Sequence, residues 1–231
     1  MTASQRVNIE ELLGHVPLFN GLAPEELARI AQATREIHAA KGEILFHKGD
    51  PCNGFHLLVY GQVKLAFTSS QGNEKVVDIL GPGQSFGEAI MFMDKSYILF
   101  AQALSDSLLL HISKAAIFCE LEQDPSLCRK MLAGMALRLH HLISDVESYS
   151  LRSGKQRIIG YLLREVPETE LDESRVAIML TANKGVIASR LNLTKEHFSR
   201  ILHELTDEGL IIVESRKIII PHLGKLRQHE A

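Results

Sequence analysis

The 231-residue chain has no tryptophan, and its aromatic content is only 6%. Its three cysteines, Cys52, Cys119 and Cys128, are scattered without C-x-x-C spacing. That argues against a disulfide framework and against a zinc site, and leaves free thiols. No cysteine precedes Cys52, so an N-terminal iron–sulfur cluster has no ligands there. The chain lacks a run of 18 apolar residues, and no membrane span is expected. Met1 to Glu11 is polar and acidic, without the basic start and apolar stretch of a signal peptide, so a cytoplasmic location is expected. There is no P-loop and no zinc-type H-E-x-x-H, and an enzyme is not expected.

Charge is distributed unevenly. The chain carries a formal net charge of −3. Between Arg175 and His229, however, nine Lys/Arg stand against five Asp/Glu, a local net of +4. A basic C-terminal third on an acidic body suggests a nucleic-acid surface at one end.

The periodicity changes twice along the chain. Asn8 to Ile37 reads as short helices punctuated by Pro17 and Pro24. From Lys41 to about Ser113, short apolar runs at Ile44–Phe46, Phe55–Val59, Val63–Phe67, Val76–Leu80 and Leu108–Ile112 alternate with turn glycines. Even strand spacing of this kind implies an antiparallel barrel or jelly roll. Gly83-Gln84-Ser85-Phe86-Gly87 comes closest to a nucleophile elbow, but it falls at a turn of this barrel.

From Pro125 the period becomes helical. Cys128, Leu132, Met135, Leu139, Leu142, Val146 and Tyr149 step by alternate fours and threes, the a/d seam of a coiled coil. A plain amphipathic helix is the alternative. The strict 3.5-residue period favours a dimer seam through Leu132, Met135, Leu139, Leu142, Val146 and Tyr149. Met131, Ala136 and Ile143 can supply a flanking stripe, and Ser153-Gly154 is the expected hinge.

A helix over Lys155 to Glu165, an acidic loop over Val166 to Ser174 and a strand over Val176 to Leu180 follow. Asn183 is positioned to cap a helix to about Leu191, Asn192 suits a left-handed turn, and Thr194 caps a second helix over Lys195 to Glu208. Leu210–Val213 and Ile218–Ile220 read as a wing. In a helix-turn-helix the second helix enters the major groove with its N-terminal residues at base edges. Thr194, Lys195, Glu196, His197, Ser199 and Arg200 are the candidates here. Arg pairs with guanine O6 and N7, and Glu accepts from the cytosine amino group. A solvated helix face with a Glu196–Arg200 ion pair is the alternative.

Glu196-His197-Phe198-Ser199-Arg200 resembles the E-x-x-S-R recognition signature of the cyclic-AMP receptor/fumarate–nitrate reduction regulator (CRP/FNR) superfamily. The likeness continues through Ile201-Leu202-His203-Glu204-Leu205 and Gly209-Leu210-Ile211, and in the barrel through Gly49, Gly61, Gly72, Gly83 and Phe86-Gly87-Glu88. The resemblance implies an α+β chain in three parts. These are a double-stranded β-helix (jelly-roll) effector barrel over residues 1–123, a dimerisation helix over 124–153 and a winged helix-turn-helix over 154–231. It implies a homodimer on double-stranded DNA that works with RNA polymerase. Glu196, Ser199 and Arg200 then read TTGAT in a TTGAT-N4-ATCAA palindrome. Ser199, where the cyclic-AMP branch has Gly, points to the other branch.

The cyclic-nucleotide branch pairs an Arg with the phosphate about ten residues after Gly-Glu. Here Ala89 to Ala103 contains no Arg, and Tyr97 falls near that place. Leu142 and Ile143 stand in register with the family's hydroxyl contacts. An anion pocket without its guanidinium disfavours cyclic AMP. Glu88 to Asp94 and Ala101-Gln102-Ala103 resemble the dissimilatory nitrate-respiration regulators, which implies haem, nitric-oxide sensing and control of denitrification. The expected pocket comprises Phe86, Glu88, Met91, Phe92, Tyr97, Leu139, Leu142 and Ile143, with Met91 and Phe92 equally readable as core. His15 and His140, among eleven histidines, are the candidate haem ligands. Sensing of carbon monoxide or a redox signal, and a cyclic-nucleotide module controlling another protein, are the alternatives.

Overall fold

In the computed structural model, residues 8–19, 22–123, 125–167, 169 and 175–229 are described. Parts of two expectations, the acidic N-terminus and the loop over 166–174, lie outside them. The chain forms two compact units, one of residues up to 73 with 77–140, the other of 74–76 with 141 onward.

The first unit opens with α1 (Ile9–Gly14), a 3-10 turn (Pro17–Phe19) and α2 (Pro24–Gln32). Asn8 caps α1 by accepting from Glu11 N. The Glu26 carboxylate accepts from Ala23 N at 2.6 Å, tying down a free amide ahead of α2. Eight strands follow: β1 (Thr34–Ala39), β2 (Ile44–Phe46), β3 (Gly54–Tyr60), β4 (Val63–Thr68), β5 (Glu74–Leu80), β6 (Ser85–Phe86), β7 (Phe100–Ala103) and β8 (Ser107–Ser113). The short helix α3 (Glu88–Phe92) lies between β6 and β7. The strands form two four-stranded sheets, ordered β1-β8-β3-β6 and β2-β7-β4-β5. β3 and β8 are buried along nearly their whole length, so they read as apolar runs rather than alternating strands. Gly61 turns β3 into β4 at φ +92°, where a Cβ would fall 2.2 Å from Ser107 Oγ, so glycine is required.

Five expected strand segments match observed strands. β1 does not: Thr34 to Ile37 was expected in a helix and instead pairs antiparallel with β8, Thr34 opposite Ile112 and Ile37 opposite Leu109. The edge of β8 offers this polar segment a full ladder, and tertiary pairing overrides local propensity. β6 and β7 are too short to leave a periodic signal.

Helix α4 (Lys114–Gln123) precedes the 27-residue helix α5 (Pro125–Leu151). Leu127 and Met131 of α5 are buried in the core of the first unit. In the second unit come α6 (Gly154–Arg164), β9 (Val176–Met179), α7 (Lys184–Arg190), α8 (Lys195–Asp207), β10 (Ile212–Glu214), β11 (Lys217–Ile220) and α9 (Leu223–Gln228). Ser153 is the N-cap of α6, and its hydroxyl accepts from Gln156 N. The expected hinge, Ser153-Gly154, stands where α5 has ended at Leu151 and α6 begins. β10-β11-β9 form a small antiparallel wing sheet.

Candidate nucleic-acid interface and effector domain

The helix-turn-helix is assembled by caps at both starts. Asn183 Oδ1 accepts from Val186 N at 2.9 Å. Thr194 Oγ1 accepts from His197 N at 3.1 Å, so α8 begins where the sequence places it. Asn192 occupies the left-handed region at φ 57°. Phe198, Ile201, Leu202 and Leu205 form the buried face of α8. Gly154 lets α6 start against that helix: a Cβ there would stand 3.0 Å from Ile201 Cδ1 and 3.1 Å from Leu193 Cδ2.

The opposite face presents Lys195, Glu196, Ser199 and Arg200 to solvent. Two of the six candidate reading residues behave differently. Thr194 is committed to its cap, and His197 is half-buried, its ring directed at the Gly154 corner. The ion pair on this face is Arg200 with Glu204, at 3.7 Å with both side chains largely exposed, rather than Glu196 with Arg200. A contact this long and solvated holds the guanidinium weakly and leaves it free to turn to a base edge.

In the first unit, Phe86, Glu88, Met91 and Tyr97 come together around β6 and α3. Phe86, Met91 and Tyr97 are buried. Tyr97 stacks on Phe46 with centroids 3.6 Å apart, and burial followed by the Cys52 thiol pushes its hydroxyl pKa upward. Phe92 meets Phe118 edge-on at 5.5 Å. Burial raises the Glu88 pKa, against hydrogen bonds from Ser85 and its own amide and the charge of Arg138. Leu139, Leu142 and Ile143 are exposed on α5.

The exposed apolar stripe of α5 contains Leu132 (55%), Leu139 (60%), Ile143 (59%) and Val146 (63%). Leu142 is also exposed, Met135 is half-buried, and Tyr149 is half-buried with its hydroxyl bonded to Arg190 of its own chain. His15 is exposed and its Nδ1 is 2.7 Å from the Glu11 carbonyl. His140 is exposed on α5. Among the described residues, no three His, Cys, Asp or Glu side chains converge as a metal site. Among them, too, no helix is long and apolar enough to cross a membrane.

Residues 36–124 match the family model of the cyclic nucleotide-binding domain, and residues 156–229 match that of the Crp-like helix-turn-helix domain. The crystal structure of DNR from Pseudomonas aeruginosa is 32% identical, covering 98% of this chain and 99% of that one, with a TM-score of 0.51. The chain belongs to the CRP/FNR family of transcription regulators. The cyclic AMP receptor protein of Thermus thermophilus is 26% identical over 195 residues, 84% of this chain and 88% of its own. FixK2 from Bradyrhizobium japonicum shares the fold, with a TM-score of 0.73 at 22% identity over 86% of this chain and 98% of that one.

This CRP/FNR-family chain is a DNA-binding regulator rather than an enzyme. Its effector domain holds three polar groups that the reading of the sequence passed over. Arg138 of α5 donates to the Ser85 carbonyl at 2.7 Å and to Asp78 Oδ2 at 3.1 Å. This cation lies outside Ala89–Ala103, on a helix some forty residues on. His56 and His111 face each other across β3 and β8, centroids 5.0 Å apart. They stand in apolar-looking strands where only register would pair them.

Proposed function

We propose that this regulator acts as a homodimer on an inverted repeat of the TTGAT-N4-ATCAA type, and that its output includes anaerobic and denitrification genes. One observation carries the reading. Glu196, Ser199 and Arg200 are all exposed on the first two turns of the capped helix α8, in the E-x-x-S-R order. The apolar stripe of α5 supports a second copy alongside, since an isolated helix of this length does not leave such a stripe in water. The partners are then double-stranded DNA, the second protomer and RNA polymerase, in the cytoplasm.

We further propose that the effector is a small neutral molecule rather than cyclic AMP. The cation whose charge acts on Glu88 is Arg138, and it is paired with Asp78. Recruiting it to a phosphate means breaking that pair. The 32% identity with DNR supports the nitrate-respiration branch and nitric oxide as signal.

Haem is the group that the resemblance implies for such a signal. The residues present do not fit it in this arrangement. Phe86 and Tyr97 are packed on Phe46 in the barrel interior, and His15 and His140 are exposed at the surface.

The test is fluorescence anisotropy with the TTGAT-N4-ATCAA duplex against one of the same length with scrambled half-sites. Tighter binding to the palindrome by about 10³-fold or more is expected. Equal binding refutes the reading. An absorbance spectrum after haem addition tests the effector: a sharp Soret band that shifts with nitric oxide would restore haem.

A further inference from the structure

Arg190 closes α7, and its guanidinium is held from α5. Nη2 lies 2.6 Å from Asp145 Oδ2, and the two side chains are only 19% and 10% exposed. Nη1 donates to the Tyr149 hydroxyl at 2.7 Å, and that hydroxyl donates to the carbonyl of Arg190 itself. Asp145 and Tyr149 are four residues apart and so lie one above the other on a single face of α5.

The next two carbonyls are held from α6. Arg157 Nη1 donates to Leu191 O at 2.8 Å and to Asn192 O at 3.1 Å. Three successive carbonyls, 190 to 192, are therefore fixed by side chains from two other helices. They form the turn that leads, through the left-handed Asn192, to the Thr194 cap of the reading helix. Free carbonyls at a helix end attract cations. Three bonds from two helices fix direction as well.

A buried ion pair is a weak source of net stability, because desolvation offsets most of the attraction. It does penalise misalignment, since either charge left alone in that site is costly. We propose that Asp145 and Arg190, with Tyr149, are positioning residues for DNA reading. They lock α8 to the same stretch of α5 whose other face carries the exposed stripe. In a dimer, the separation of the two reading helices is then set by this clamp. The inference rests on the dimer-on-palindrome reading above.

Two measurements on the full chain test it, with Asp145→Asn and the volume-conserving Tyr149→Phe. The first is hydrogen exchange of the free protein. Amides of the turn at 190–194 exchange about tenfold faster or more in Asp145→Asn, and less markedly faster in Tyr149→Phe. The second is affinity for duplexes with half-site spacers one or two base pairs shorter and longer than N4. The wild type prefers N4, and the variants lose that preference by about fivefold or more while binding scrambled duplex as before. Unchanged exchange, or an equal fall in affinity on every spacer, overturns the positioning role and marks the residues as merely structural. A wild-type chain with no spacer preference overturns the palindrome reading instead, and the positioning role with it.

Discussion

His56 lies flat on Phe86, with centroids 5.0 Å apart and ring planes 13° from parallel, and its buried Nδ1 has no hydrogen-bond partner. Burial, then the charges of His111 and Arg35, lower its pKa to about 3. In the unfolded chain an imidazole titrates near 6.5. Below that pH the unfolded state takes up a proton that the folded state refuses. Stability is therefore complete above about pH 6.5 and falls as pH drops toward about 3, at up to about 1.4 kcal/mol per pH unit. His56→Phe keeps the stack and removes the titration. Urea denaturation at pH 7.5 and pH 5 should show a loss on acidification about 2 kcal/mol smaller in the variant than in the wild type. Equal losses would show that His56 is not neutral by burial.

Arg200 has one solvated partner, Glu204, on its own helix. Replacing that partner by Ala should change folding stability by less than about 0.5 kcal/mol. Arg200→Ala should cost about 1–3 kcal/mol of binding to the palindrome and relax the preference for guanine in the half-site. Competition with duplexes altered at that one base pair distinguishes the roles. If every sequence weakens equally, Arg200 contacts phosphate.

The stripe on α5 gives a prediction about assembly. Leu139→Glu places a charge in the middle of Leu132, Leu139, Ile143 and Val146, where a second copy would bury it. Size-exclusion chromatography with light scattering should show a dimer for the wild type and a monomer for the variant. Affinity for the palindrome should fall by about 10²-fold or more as bivalency is lost, with the helix content unchanged. A wild-type chain that runs as a monomer would remove the proposed assembly.

How much of this was legible follows from which signals are local. The caps Asn183 and Thr194, the turn at Asn192 and the buried face of α8 are each written within a few residues. All four stand where the spacing puts them. The long helix was legible from its period, but its faces were less so. Tyr149 fits the a/d steps, yet its hydroxyl finds Arg190, a partner some forty residues later that no heptad pattern encodes. The same limit hid Arg138 of α5, whose partners Ser85 and Asp78 lie on β6 and β5. β1 was misread because its pairing partner, β8, is about seventy residues distant and supplies the order that Thr34 to Ala39 lacks by itself. Pairing between distant segments, rather than any local propensity, decides these positions.

Thr194 offers the sharpest separation of local from functional effects. Its hydroxyl accepts from His197 N, one of the four amides that α8 leaves free at its start. Thr194→Ala removes that acceptor and should cost about 1 kcal/mol of stability, lowering Tm by about 2–4 °C. Thr194→Ser keeps the oxygen and should retain most of both. The reading side chains Glu196, Ser199 and Arg200 follow directly, so fraying of this turn spreads them over more conformations and weakens the palindrome more than scrambled duplex. Thermal denaturation and anisotropy on the three proteins decide between cap and base contact. A Thr194→Ala chain that melts like the wild type but binds DNA weakly would make the hydroxyl a direct contact instead. Coupled losses in both, with rescue of both by Ser, establish that the cap acts by holding the helix start in shape.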